Sequence, residues 1–170
     1  MMKLSDGVEW GVHVTTLLAV LPPARALPAA KLAEYHGVPA AYLAKHLQAL
    51  SRAGILESVQ GPRGGYRLAR PAPTITVLDV VEAIDGDEPA FRCTEIRRRG
   101  PSAVPAREYT RPCGINRAFQ RADELWRAEL RRASIADLVL GVMKEAPPVA
   151  LQKGVRWLGA AVGATPATRS

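Results

Sequence analysis

Apolar residues recur with a helical period over the first fifty positions and then switch to alternation. Val8, Val12, Leu17, Leu18 and Leu21 predict a mostly apolar first helix that stops before Pro22-Pro23, where proline lacks the amide donor and clashes with the preceding turn. A short helix is expected from Pro28 to Tyr35; it offers Ala29, Leu32 and Ala33 to a core and is broken by Gly37 and Pro39. The third helix, Ala40 to Ala53, places Leu43, Leu47 and Leu50 at helical spacing and ends at Gly54. Two short helices around a glycine-containing turn read as a helix-turn-helix. "ILESV" and "GYRLA" alternate instead, with the turn formers "QGPRGG" between them, so Ile55 to Ala69 reads as a β-hairpin with Arg63 at its tip. A hairpin directly after a recognition helix is a wing.

Thr76 can cap a helix running through Ile84, with Val77, Val80, Val81 and Ile84 on one face. Asp85 to Pro112 has neither period and carries Gly100 with Pro89, Pro101 and Pro105, so it reads as a long loop, and loops of that length are usually functional or disordered. Ile115 to Arg132 predicts a long helix with Ile115, Phe119, Leu125 or Ala122, Trp126 and Leu130 as its apolar stripe. Ser134 and Asp137 form a capping-box signature for a helix reaching about Val142 or Lys144. These late helices have no second layer of their own to bury the stripe, which points to a two-fold partner. From Pro147 the chain is rich in Ala, Gly and Pro; "VRWLGAAV" is expected to dock as a turn or two of helix, with about the last seven residues loose. The organisation expected is therefore a DNA-reading unit over 1–70, a loop and helices for dimerisation over 71–145, and a tail over 146–170.

Composition narrows the partners. A chain of 170 residues that is 48% hydrophobic can build a core, and 23 Lys plus Arg against 16 Asp plus Glu leave a formal charge of +7, which favours an anionic partner such as nucleic acid. No apolar run approaches a bilayer span and the start lacks a secretory signal pattern, so a cytoplasmic protein that does not enter membranes is expected. Nothing resembles a nucleotide loop, a hydrolase elbow or an acid–base pair, so an enzyme is not expected. Double-stranded promoter DNA is the expected partner. Ala40, Ala41, Tyr42, Lys45 and His46 occupy the first turn and outward face of the recognition helix and would reach base edges, while Arg52, Arg63 and Arg67 suit phosphates or a minor groove.

A second group of side chains carries different chemistry. Glu9 and His13 stand at i and i+4 and project together, able to meet a metal, each other or solvent. Cys93 and Cys113 bracket the loop with no CxxC spacing, and alone they read equally as buried thiols. Together the four supply the donor count of a tetrahedral zinc site or a two-iron cluster, and composition does not choose between them.

"YLAKHLQALSRAGILESVQGPRGGYRLARP" and "ITVLDVVEAIDG" closely resemble the winged-helix iron–sulfur transcription regulators of the IscR and NsrR type, over Met2 to about Met143. The resemblance implies a mainly α fold with a small β-hairpin wing: a winged helix-turn-helix plus a long dimerisation helix, here Phe119 to Leu130, with Phe119, Trp126 and Leu130 at the interface of a homodimer. Most sensing members carry three loop cysteines, whereas this chain has two. "KLSDGVEW", "PAFRCTEIRRRGP" and "RPCGI" are instead similar to the redox-sensitive RsrR branch. That likeness implies a [2Fe–2S] cluster held by Cys93 and Cys113 of one protomer and Glu9 and His13 of the other, one per ligand set and two sets per homodimer. It also implies a redox-switching role for Trp10. His36 is the rival imidazole. The competing expectation is a regulator of the same fold with zinc or no cofactor, its cysteines structural or thiol-switching.

Overall fold

The computed structural model describes residues 4–163. Seven α-helices and one two-stranded hairpin follow each other as α1 (Asp6–Ala19), α2 (Ala29–His36), α3 (Ala40–Arg52), β1 (Leu56–Val59), β2 (Gly65–Leu68), α4 (Val77–Asp85), α5 (Gly114–Arg132), α6 (Ile135–Glu145) and α7 (Pro148–Gly163). This is the expected fold class, helix-turn-helix with wing, and its element boundaries fall within a few residues of those the periodicity predicts.

The core gathers around the leucines of α3. Leu43, Leu47 and Leu50 are fully buried against Val14 and Leu18 of α1, Leu32 of α2, Ile55 and Leu56 at the hairpin, Ile75 and Val80 around α4, and Ile135 of α6. Gly37 ends α2 in the left-handed region at φ 65°, which lets the chain turn straight into α3. The hairpin pairs Leu56 with Leu68 and Val59 with Gly65. It is tied to the α1–α2 linker by a bridge in which Leu27 N donates to Tyr66 O (3.0 Å) and Tyr66 N to Leu27 O (2.8 Å). Gly65 has φ 143°, and a Cβ there would lie 2.2 Å from Leu27 O, so the second glycine of "GG" is what allows the wing to sit this close.

The capping box predicted at Ser134 forms, and the predicted cap at Thr76 is a capping box as well. Thr76 Oγ1 accepts from Asp79 N (3.1 Å) while Asp79 Oδ2 accepts from Thr76 N (2.8 Å), and Ser134 and Asp137 repeat the arrangement at α6. The two caps lie side by side, joined by Val77 N to Ala133 O and Ile135 N to Ile75 O. Asp79 also meets Arg70 (3.0 Å), and these hydrogen bonds hold its carboxyl below the usual carboxylate range despite opposing desolvation. Replacement by Ala should cost about 1–2 kcal/mol of unfolding free energy. The wild-type advantage is present above the unfolded carboxylate pKa near 3.8 and is lost as pH falls through the lower folded value, so urea midpoints of the two proteins should converge in strong acid.

The tail departs from expectation. Pro148–Gly163 is one 16-residue helix, not a turn or two. Trp157, Leu158, Ala161 and Val162 recur at helical spacing and pack on the core, while the Trp157 ring meets Tyr35 at a tilt (4.9 Å between centroids) and its Nε1 donates to Glu34 Oε1 (3.2 Å). Gly154 is the glycine of α7 that meets a neighbour: the Tyr35 hydroxyl lies 2.9 Å from where a Cβ would be. The final seven residues, expected to be loose, lie outside the described residues. Among the described residues no helix is long and apolar enough to cross a membrane.

Candidate nucleic-acid interface and metal-ligand sets

The recognition face is built by burying the leucine stripe of α3, which turns the opposite side outward. Ala40, Ala41 and Arg52 are exposed, Tyr42 is 61% exposed, and Lys45 Nζ lies 5.4 Å from the Tyr42 ring. Arg63 is exposed at the wing tip. Arg67, by contrast, is engaged across the hairpin: its Nε donates to Glu57 (2.5 Å), the residue paired with it in the ladder. His46 does not join the outward face. Its ring is half-buried against α1, edge-on to Trp10 at 5.9 Å, and sits where a Cβ of Gly7 would be. The glycine in "DGVEW" is thus a close-packing position, and α3 touches the helix that carries the candidate ligands through His46 and Trp10.

On α1 the buried residues Val8, Gly11, Val14, Thr15 and Leu18 face the core, so the helical period puts Glu9 and His13 together on the exposed side. His36 lies behind them, its ring 5.9 Å from that of His13. Burial, and then the neighbouring His13, push the His36 pKa down to about 4, and its Nε2 is buried without a hydrogen-bond partner.

The loop between α4 and α5 brings its two cysteines together. Cys113 is the N-cap of α5, and the amides of Asn116 and Ile115, the Cys93 thiol and the Arg97 guanidinium lower its pKa against the opposing effect of desolvation. Cys93 accepts from Glu95 N (3.4 Å), and both cysteines are free thiols. Sequence reasoning missed the scaffold that orders this loop. Arg97 donates to Glu95 (2.6 Å) and to Arg111 O (3.0 Å), stacks on Tyr109 (4.5 Å), and receives the Tyr109 hydroxyl on its carbonyl (2.5 Å). An Arg close to a Glu and a distant Tyr is a weak signal that three-dimensional contact alone makes visible.

Within one chain these sets stay apart: among the described residues no group of three or more His, Cys, Asp and Glu side chains converges to hold a metal. Cys93 with Cys113 and Glu9 with His13 form two separate pairs. Helix α5 leaves the body with no buried residue. Its C-terminal half is pinned to α4 through Arg127, which meets Glu82 (2.6 Å) and Asp123 (2.7 Å), and there Trp126 and Leu130 are half-buried. Along the helix Ile115 (62%), Phe119 (50%) and Leu125 (65%) stay exposed, with Phe119 stacked on Phe91 at 4.3 Å.

Known proteins share this fold. The chain is similar to the protein aau3 of Rhizobium meliloti (strain 1021), 38% identical over 109 residues that make up 64% of this chain and 67% of that protein. It is also similar to the putative HTH-type transcriptional regulator YwgB of Bacillus subtilis (strain 168), 36% identical over 50% of this chain and 54% of the relative, so that match spans about half of the relative's length. Among solved structures, the fold matches CymR, the global cysteine regulator of B. subtilis, at TM-score 0.65 and 19% identity over 82% of this chain and 97% of that one. It matches T. potens IscR at TM-score 0.64 and 20% identity over 88% and 96%. Residues 4–141 match the profile of Rrf2, described as an iron-dependent transcriptional regulator, and with the helix-turn-helix and wing in place the chain belongs to that family, whose members are regulators of transcription and not enzymes.

Proposed function

We propose that this DNA-binding transcription regulator acts as a homodimer whose promoter binding responds to the redox state of a [2Fe–2S] cluster held across the dimer, as in the RsrR branch. The observation that carries the reading is the pair of half-sets: two adjacent thiols at the start of α5, and a carboxylate with an imidazole on the exposed face of α1. The donor chemistry fits. Cys113 is already biased toward the thiolate, the form that binds iron, and Glu9 and His13 are free to face a second protomer. Cys93 and Cys113 would hold one iron and the partner chain's copies of residues 9 and 13 the other; such a cluster, when bound, supplies one-electron redox chemistry at a potential raised by nitrogen ligation.

The path to DNA runs through this chain's own residues. Trp10 follows Glu9 directly and meets His46 of α3, so a shift of α1 relative to the partner would be felt by the recognition helix and would alter the half-site spacing that the dimer fits. Anaerobic purification tests the reading. About two iron and two sulfide per chain are expected, with DNA affinity changing when dithionite is added; a colourless protein whose affinity ignores dithionite overturns it.

A second reading has support of its own. Cys93 and Cys113 are neighbours within one chain and Cys113 is activated, which suits a dithiol–disulfide switch without metal. Zinc in place of iron would use the same four donors. Iron, zinc and acid-labile sulfide content together separate the three.

The DNA-reading residues divide by chemistry. Arg63→Ala should weaken specific and unrelated duplexes by similar factors and lower the salt slope by roughly one unit, as loss of one phosphate contact does. Tyr42→Ala or Lys45→Ala should change sequence preference instead, measured by binding to a randomised duplex pool.

A further inference from the structure

The loop that carries the two thiols has no core of its own: none of residues 86–113 is buried, and Cys93 and Cys113 stand twenty positions apart. Ordering such a loop costs chain entropy that apolar packing does not offset here, so specific polar contacts have to bring the cysteines together. The side chain that reaches both arms is Arg97. Toward Cys93 it holds the Glu95 carboxylate through two nitrogens, Nε at 2.6 Å and Nη2 at 3.4 Å, and Glu95 N in turn donates to Cys93 Sγ (3.4 Å). Toward Cys113 the same Nη2 donates to the carbonyl of Arg111 (3.0 Å), two residues before the cysteine. Tyr109 closes the clamp, its ring 4.5 Å from the guanidinium and its hydroxyl donating to Arg97 O (2.5 Å). Glu95, between Cys93 and Arg97, is the one non-glycine residue with a positive φ (52°) among the described residues. That conformation is costly for a residue with a side chain and persists where its surroundings hold it.

We propose that Arg97 is the positioning residue of this site: its fork spans the two arms of the loop and keeps Cys93 and Cys113 side by side in the metal-free chain, as a preformed pair of sulfur donors. The role needs the guanidinium and not only its charge. A planar fork can bond a carboxylate and a carbonyl at once while its face lies on a phenol ring, and an ammonium of equal charge cannot. The proposal rests on the reading that the two thiols act as a pair, in a cluster, a zinc site or a disulfide alike. Its test uses no metal, so its failure would strike Arg97 and leave the iron reading to its own iron and sulfide counts.

Dibromobimane reads the pairing directly, because it becomes fluorescent when two nearby thiolates displace its two bromides. The reduced, metal-free full chain is treated with it, and with monobromobimane as the control that reports how fast each thiol reacts singly. Wild type should bridge within one chain, giving a fluorescent product at monomer mass on a denaturing gel. Arg97→Lys, which keeps the charge, and Arg97→Gln should each slow bridging at least about tenfold relative to their own monobromobimane rates, as loss of a held geometry does. Tyr109→Phe removes only the hydroxyl and should slow bridging about threefold, as one hydrogen bond allows. Near-wild-type thermal melting is expected of all three, since the clamp lies outside the core; if the Arg97 variants melt early, Tyr109→Phe decides. No bridging by wild type, bridged product at dimer mass, an Arg97→Lys variant that bridges like wild type, or equal slowing of bridging and single alkylation would each overturn the proposal.

Discussion

His13→Ala is expected to lose most of its iron and acid-labile sulfide although both cysteines remain. The imidazole is exposed on α1 and takes no part in the core, so its removal leaves the fold intact, and near-wild-type thermal melting should accompany the bleached spectrum. An exposed Glu–His pair with no ligand role could be cut without consequence for colour. Glu9→Cys should instead keep a cluster and lower its potential, because thiolate donates more charge to iron than carboxylate does. His36 serves as the control imidazole: it is half-buried behind His13, and His36→Leu should retain iron. A full complement in His13→Ala with loss in His36→Leu would exchange the two roles.

The second large effect concerns assembly. Rrf2 regulators are commonly dimeric, and here α5 leaves Ile115, Phe119 and Leu125 exposed. Phe119→Glu or Leu125→Glu should raise the dimer dissociation constant by at least about 100-fold, since an unpaired carboxylate in an apolar interface costs several kcal/mol. These positions are cleaner tests than Trp126→Glu, because Trp126 is half-buried beside Val81 and Leu4 of its own chain and its replacement would disturb the fold as well. Sedimentation velocity reads the outcome: monomers at micromolar concentration are expected, and an unchanged dimer would move the interface off α5. DNA affinity should fall with the dimer, because one wing and one recognition helix read only one half-site.

What the sequence made legible was local. The leucines of α3, the alternation of the wing, and the capping signatures at Thr76 and Ser134 each state their structure within a few residues, and each is present. The candidate ligands were legible as two pairs, because i,i+4 spacing and helix position are also local. What stayed hidden depends on contacts between distant segments. His46 looked like a base-reading residue until Gly7 and Trp10 of α1 claimed its ring. Arg97 and Tyr109, twelve positions apart, clamp the loop that presents the cysteines. Helix α7 was obscured by its small residues, and the contact of Gly154 and Trp157 with Tyr35 appears only once α2 is near.

Subunit mixing addresses ligation across the dimer most directly. One chain carries Cys93→Ala and Cys113→Ala and keeps Glu9 and His13; the other carries Glu9→Ala and His13→Ala and keeps both cysteines. Neither homodimer can assemble a full donor set, whichever protomer supplies which half. Co-expressed under anaerobic conditions and isolated with two different affinity tags, the heterodimer has one complete set if the halves come from opposite protomers and none if they come from the same one. Recovery of roughly one cluster's iron and sulfide per heterodimer, with the visible spectrum of the wild type, is the result expected of a cluster shared between protomers; a heterodimer as free of iron and sulfide as its parents would contradict it.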